Sequence, residues 1–73
     1  MKQFILECIG DICEHTITIT FSNGGKIDFF QVYDDCPNTA NVIDLVEVGT
    51  DFRHLVNLDY VVHVRLNLGK TST

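Results

Sequence analysis

Seventy-three residues suffice for one small domain, and a core this modest gains from a helper such as a disulfide, a metal or self-association. Ten acids against five bases give a formal net charge of −5, which disfavours a phosphate-backbone partner and favours a basic protein surface. A hydrophobic fraction of 45% argues against disorder, and no stretch is long and apolar enough to cross a bilayer.

The chain is expected to open with a three-stranded antiparallel meander. Phe4 to Leu6 is too short an apolar run for a secretory leader, because Glu7 interrupts it. It reads instead as part of a first strand. Gly10-Asp11 suits a two-residue type II′ hairpin, whose first central position needs a positive φ that glycine adopts at low cost. That turn sets Cys8 opposite Cys13, Leu6 opposite His15 and Phe4 opposite Ile17. The second strand runs from Glu14 to Phe21, and Asn23-Gly24-Gly25 marks the next turn. A two-residue Asn-Gly loop would put Asp28 and Lys26 on the apolar face. A three-residue loop with Gly25 left-handed instead sets Ile19 opposite Phe29 and Phe21 opposite Ile27. A slip of one residue turns every side chain over, so the apolar pattern selects the longer loop.

One face of this meander carries Phe4, Leu6, Cys8, Cys13, Ile17, Ile19, Phe21, Ile27, Phe29 and Tyr33, with His15 and Gln31 as polar exceptions. The other face carries Glu7, Glu14, Thr16, Thr18, Thr20 and Asp28. Ile5, Phe30 and Val32 also fall on this outer face, where they form either a partner contact or a seat for another layer of the fold.

Pro37 ends the meander. Residues 38–41 form a loop or a single helical turn. Val42 to Val48 has apolar residues on both sides, as in a strand covered on both faces. Gly49-Thr50-Asp51 is a turn. Phe52, His54, Val56 and Leu58 then alternate with Arg53, Leu55 and Asn57, and Asn57 to Asp59 is a tight break. In the last strand Tyr60, Val62, Val64, Leu66 and Leu68 form the inner row, and Val61, His63, Arg65 and Asn67 the outer row. Gly69 to Thr73 reads as a loose tail. The expected fold is a single all-β domain over residues 1–73, a small antiparallel sheet or SH3-like barrel of five or six strands.

Chemistry-bearing residues are few. Cys8 and Cys13 read as small buried hydrophobes rather than as a bridge, since a reducing compartment and a tiny loop both disfavour one. Cys8, Cys13, His15 and Cys36 would make a Cys3His metal set, but they lack the paired spacing of known zinc sites, and no metal or other cofactor is expected. His54 and His63 have no nucleophile and orienting acid at a recognisable spacing, so no catalytic residue is expected and the chain does not read as an enzyme. Asp34, Asp35, Asp44, Glu47 and Asp51 crowd the middle third, and Lys and Arg are absent from Ile27 through Thr50. These acids are either a solvated surface or an imitation of a phosphate track.

The stretch from Leu55 to Leu66 resembles the last two strands of Sm-like small barrels, and Phe21-Ser22-Asn23-Gly24-Gly25-Lys26-Ile27 resembles their first hairpin. Sm-like proteins form rings and bind RNA. Here Phe29 stands near where their strand carries Gly, Asn57-Leu58 stands in place of an Arg-Gly, and the chain is acidic. The resemblance therefore implies an SH3-like topology and does not extend to RNA binding.

The functional expectation is a non-enzymatic acidic interaction module in the cytoplasm, a homodimer or other homo-oligomer that contacts neither nucleic acid nor membrane directly. It would occlude a basic, nucleic-acid-binding surface of a target protein, as phage-encoded inhibitors of host defence such as anti-CRISPR proteins do. The expected contact set is Asp34, Asp35, Asp44, Glu47 and Asp51 with Ile5, Phe30 and Val32. The alternatives are an oligomeric barrel binding a small anionic ligand or nucleotide through Asn57, His63 and Arg65, and a domain built around a Cys/His metal site.

Overall fold

The computed structural model describes residues 1–10 and 15–68. It comprises a helix α1 (Lys2–Ile9) and strands β1 (Thr16–Phe21), β2 (Lys26–Asp34), β3 (Val42–Glu47), β4 (Arg53–Asn57) and β5 (Val61–Asn67), with a 3-10 turn at Leu58–Tyr60. The strands form one antiparallel sheet in the order β4-β3-β2-β1-β5. The all-β expectation holds.

The opening differs from expectation, because the first segment is a helix rather than a strand. Ile5, Cys8 and Ile9 recur at the spacing of one helical face, and all three are buried against the sheet. Phe4, assigned to the core as a strand residue, is 44% exposed, whereas Ile5 is fully buried. A helix of eight residues is too short to persist in water by itself, so burial of Ile5 and Ile9 holds it in place. Its N-terminus is tied down by Lys2, whose Nζ donates to the carbonyls of Asp35, Cys36 and Thr39 at 2.6–3.0 Å. Gly10 closes the helix rather than opening a hairpin, its N–H donating to the Leu6 carbonyl. The helix abolishes the hairpin that set Cys8 opposite Cys13 and Leu6 opposite His15. Cys13 and Glu14 themselves lie outside the described residues, as does the expected tail at 69–73.

The β1–β2 hairpin keeps the expected face but not the expected partners. Ile19 faces Ile27 and Ile17 faces Phe29. The loop is Ser22-Asn23-Gly24, one residue earlier than expected, and the left-handed residue is Gly24, with φ +91°. A shift of two in pairing preserves side-chain parity, so Ile17, Ile19, Ile27 and Phe29 still point inward.

In β2 the pairing with β3 slips between Phe29 and Gln31 and again between Val32 and Asp34. Each slip inserts one extra residue, a β-bulge, and turns the following side chains over. Val32 therefore packs against the core, and Tyr33, expected inside, is 60% exposed. A similar slip in the β1–β5 pairing lies between Thr20 and Phe21. It buries Val61 and leaves Tyr60 and Val62, expected inside, in solvent, while Val64 and Leu66 return to the core side.

The central residues of β3 are buried on both faces, as expected. The core joins Ile5 and Ile9 from the helix to Ile17, Ile19, Phe29, Ile43 and Leu45 from the sheet, with Val56, Leu58 and Val61 completing it.

Candidate functional site

The five acids of the middle third do not form one free surface. β2–β3 pairing sets Asp34 opposite Asp44. Two carboxylates so placed repel each other, and Arg53 from β4 answers them. Its Nη2 lies 2.6 Å from Asp44 Oδ2, and its guanidinium stacks 3.7 Å above the Tyr33 ring. The Asp44 hydrogen bond, with the charges of Asp44, Tyr33 and Asp34 adding to it, holds the guanidinium more firmly protonated than usual despite partial desolvation. Asp44 is buried and serves as an internal anchor, a correction to its place among the expected contact residues.

Glu47 lies at the other end of β3, where its Oε1 is 2.8 Å from His54 Nε2. The His54 ring also meets Phe29 edge-on at 5.5 Å, which makes it a half-buried histidine with partners on two sides. Asp51 is exposed in the β3–β4 turn with φ +60°. Asp34 and Asp35 are exposed, and one Asp34 carboxylate oxygen accepts the Cys36 N–H. The exposed acids of the set are thus Asp34 and Asp35 at one end of β3 and Asp51 at the other. The sequence window lacking bases did not reveal Arg53, because β4 folds back beside it.

The apolar members of the expected contact set change as well. Ile5 is in the core beneath the helix, Val32 packs on that core, and Phe30 is half-buried at the bulge. They form no exposed patch. Exposed apolar groups lie instead on the edge strands, where Leu55 of β4 is 71% and Val62 of β5 is 63% exposed. Phe52 and Tyr60 beside these strands are also exposed.

The backbone of these edges can be read from the ladder. The Glu47 N–H donates to the Phe52 carbonyl and the Leu58 N–H to the Asn41 carbonyl across the β3–β4 pair. Hydrogen-bonded and non-hydrogen-bonded positions alternate in an antiparallel pair. His54 and Val56 therefore spend their backbone groups on β3, and Arg53, Leu55 and Asn57 direct theirs to the open side. By the same alternation, starting from the Phe21 N–H donating to the Gly25 carbonyl, Thr16, Thr18 and Thr20 bond β5, and Val64 and Leu66 direct their backbone groups outward.

Of the alternative ligand set, His63 and Arg65 share the outer face of β5. Asn57 is not with them: its side chain accepts the Asp59 N–H and caps the 3-10 turn. Cys8 is buried in the core, and burial, reinforced by the Glu7 charge, pushes its thiol pKa up. Cys36 lies in the β2–β3 loop, and among the described residues no three His, Cys, Asp or Glu side chains come together as a metal site. No helix among the described residues is long and apolar enough to cross a membrane. No protein-family model matches the chain, and neither a curated protein nor a solved structure matches it.

Proposed function

We propose that this chain is a non-enzymatic protein-interaction module that assembles with copies of itself through the edges of its sheet, β4 and β5, which pair with no further strand among the described residues. The observation that carries this reading is the β4 edge. There the outward backbone groups of Arg53, Leu55 and Asn57 flank a leucine side chain that is 71% exposed. Unpaired edge groups are templates for strand addition, and monomeric proteins commonly guard them with lysine or proline. Neither β4 nor β5 contains either residue. Pairing of unlike edges gives a ring or filament, and pairing of like edges a two-fold dimer. Either relieves the small core of an 8.2 kDa chain.

In its finer form the module has a basic protein target. Asp34, Asp35 and Asp51, with the net charge of −5, would meet an arginine- and lysine-lined site and block nucleic acid from it, in the manner of phage inhibitors of host defence.

Light scattering coupled to gel filtration tests the assembly. Leu55→Pro removes an N–H that the β3 ladder does not use, and Val62→Lys places a charge on the other edge strand. The expected result is an oligomeric native chain, dissociated by at least one of these changes with its far-ultraviolet circular dichroism retained. A monomeric native chain, or an oligomer indifferent to both changes, refutes edge pairing. Replacing Asp34, Asp35 and Asp51 together with Asn should flatten the salt dependence of binding to an arginine-rich peptide. An unchanged salt slope removes the basic-target proposal.

A further inference from the structure

The face of the sheet turned away from the core holds cations that form no ion pair among the described residues. The pairing of β5, β1 and β2 lays His63, Thr20 and Lys26 in one row, with Arg65, Thr18 and Asp28 in the next. Adjacent strands are about 4.8 Å apart and same-face residues about 7 Å along a strand, so the heads of Lys26, His63 and Arg65 can meet above the threonines.

The two other described lysine and arginine side chains are occupied, Lys2 by three carbonyls and Arg53 by Asp44. The nearby carboxylates have other partners. Asp28 Oδ1 accepts from the Thr18 hydroxyl at 2.6 Å, and Glu47 is paired with His54. Arg65 donates to Asn67 at 3.0 Å and makes a longer contact to Thr18, but among the described residues it forms no ion pair, and neither does Lys26. Lys26 and His63 are both exposed. A shallow concavity of about 460 Å³, with Thr18, Lys26, Asp28, Glu47 and Arg65 in its wall, adjoins the rows. In a chain whose acids outnumber its bases ten to five, these two side chains beside a histidine still form no ion pair among the described residues.

We propose that this face binds a small phosphorylated ligand. One phosphate group sits between Lys26, His63 and Arg65, with the Thr20 hydroxyl available as a further donor. Phosphate oxyanions also occur along nucleic acids, but a strand needs a track of cations, and the net charge of −5 repels a polyanion. Two cations and an imidazole within about 10 Å suit one or two phosphates. The site does not depend on self-association, because its side chains project from the sheet face and not from its edge.

The test is a heteronuclear NMR titration with inorganic pyrophosphate at low ionic strength, run in parallel with a single-stranded oligothymidylate. Saturable shifts should concentrate on the amides of 16–20, 26–28 and 63–67. The Lys26 side chain makes no hydrogen bond or ion pair among the described residues, so Lys26→Gln should weaken binding about tenfold without moving the melting temperature, and Lys26→Gln with Arg65→Gln should abolish it. The Leu55→Pro chain should bind pyrophosphate as the native chain does, whether or not it assembles. Absence of saturable shifts, equal affinity in the double variant, or tighter binding of the oligonucleotide than of pyrophosphate each overturns the proposal.

Discussion

A helix at Lys2–Ile9 and a strand at the same residues bury opposite side chains, so two substitutions discriminate between them. As a strand, Phe4 would be a core residue and Ile5 would face outward. In the structure Ile5 has no exposed surface and Phe4 is 44% exposed. Truncating a fully buried isoleucine to alanine costs about 2–5 kcal/mol, through lost transfer energy and the cavity left behind. A domain this small has about 3–5 kcal/mol in total to lose. Ile5→Ala should therefore be largely unfolded, and Ile5→Val, at about 1 kcal/mol, gives a measurable series. Each kilocalorie lowers the melting temperature of such a domain by about 4–8 °C, so Ile5→Val should melt about 4–8 °C lower. Phe4→Ala should lose less than Ile5→Ala, since almost half of the ring is already wet. Thermal and urea unfolding followed by circular dichroism measures all three. If Phe4→Ala proves more destabilising than Ile5→Ala, the helical assignment and the core built on it are wrong.

Three further outcomes follow from the same docking. Cys8 is buried with its pKa raised, so in the native chain iodoacetamide should label Cys36 well before Cys8, as site-resolved mass spectrometry would show. A thiol whose pKa is higher folded than unfolded favours the fold fully below the ordinary thiol pKa. That contribution is lost as the pH rises through the raised value, so stability should decline in alkaline solution, and less steeply in Cys8→Ala. Lys2→Met removes the donor shared by three loop carbonyls; water can replace it there, so the cost should be only about 1 kcal/mol. Hydrogen exchange should nevertheless quicken at the helix amides 5–10, and unchanged protection would show that Lys2 does not anchor the helix.

The hairpin face was legible because isoleucine and phenylalanine alternate against threonine and aspartate from Thr16 to Phe29, and any register of the right parity buries the same set. The helix was misread because eight residues satisfy two templates at once. Phe4, Leu6 and Cys8 alternate as in a strand, while Ile5, Cys8 and Ile9 repeat as in a helix, and Gly10-Asp11 resembles a hairpin turn. Bulges leave no such trace. Nothing in Phe30-Gln31-Val32-Tyr33 announces two extra residues, so strict alternation puts Val32 and Tyr33 on the wrong sides, as it does Tyr60 and Val62. The candidate sites were legible only in part. His63 and Arg65 could be placed on one row by alternation, but Lys26 joins them only through the β5-β1-β2 order, and Arg53 reaches Asp44 only because β4 lies beside β3.

The two extra residues of β2 constrain how this gene can change length. Removing the codon of Phe30 or of Tyr33, the residue at either slip, would make the β2–β3 ladder regular at that point and leave Val32 on the hydrocarbon side. Removing one between Ile17 and Thr20 of β1, where the pairing on both sides is continuous, leaves no spare residue to absorb the loss and would turn over every side chain beyond the gap. A deletion-scanning library should therefore show permissiveness at the two slips of β2 and sharp intolerance within β1.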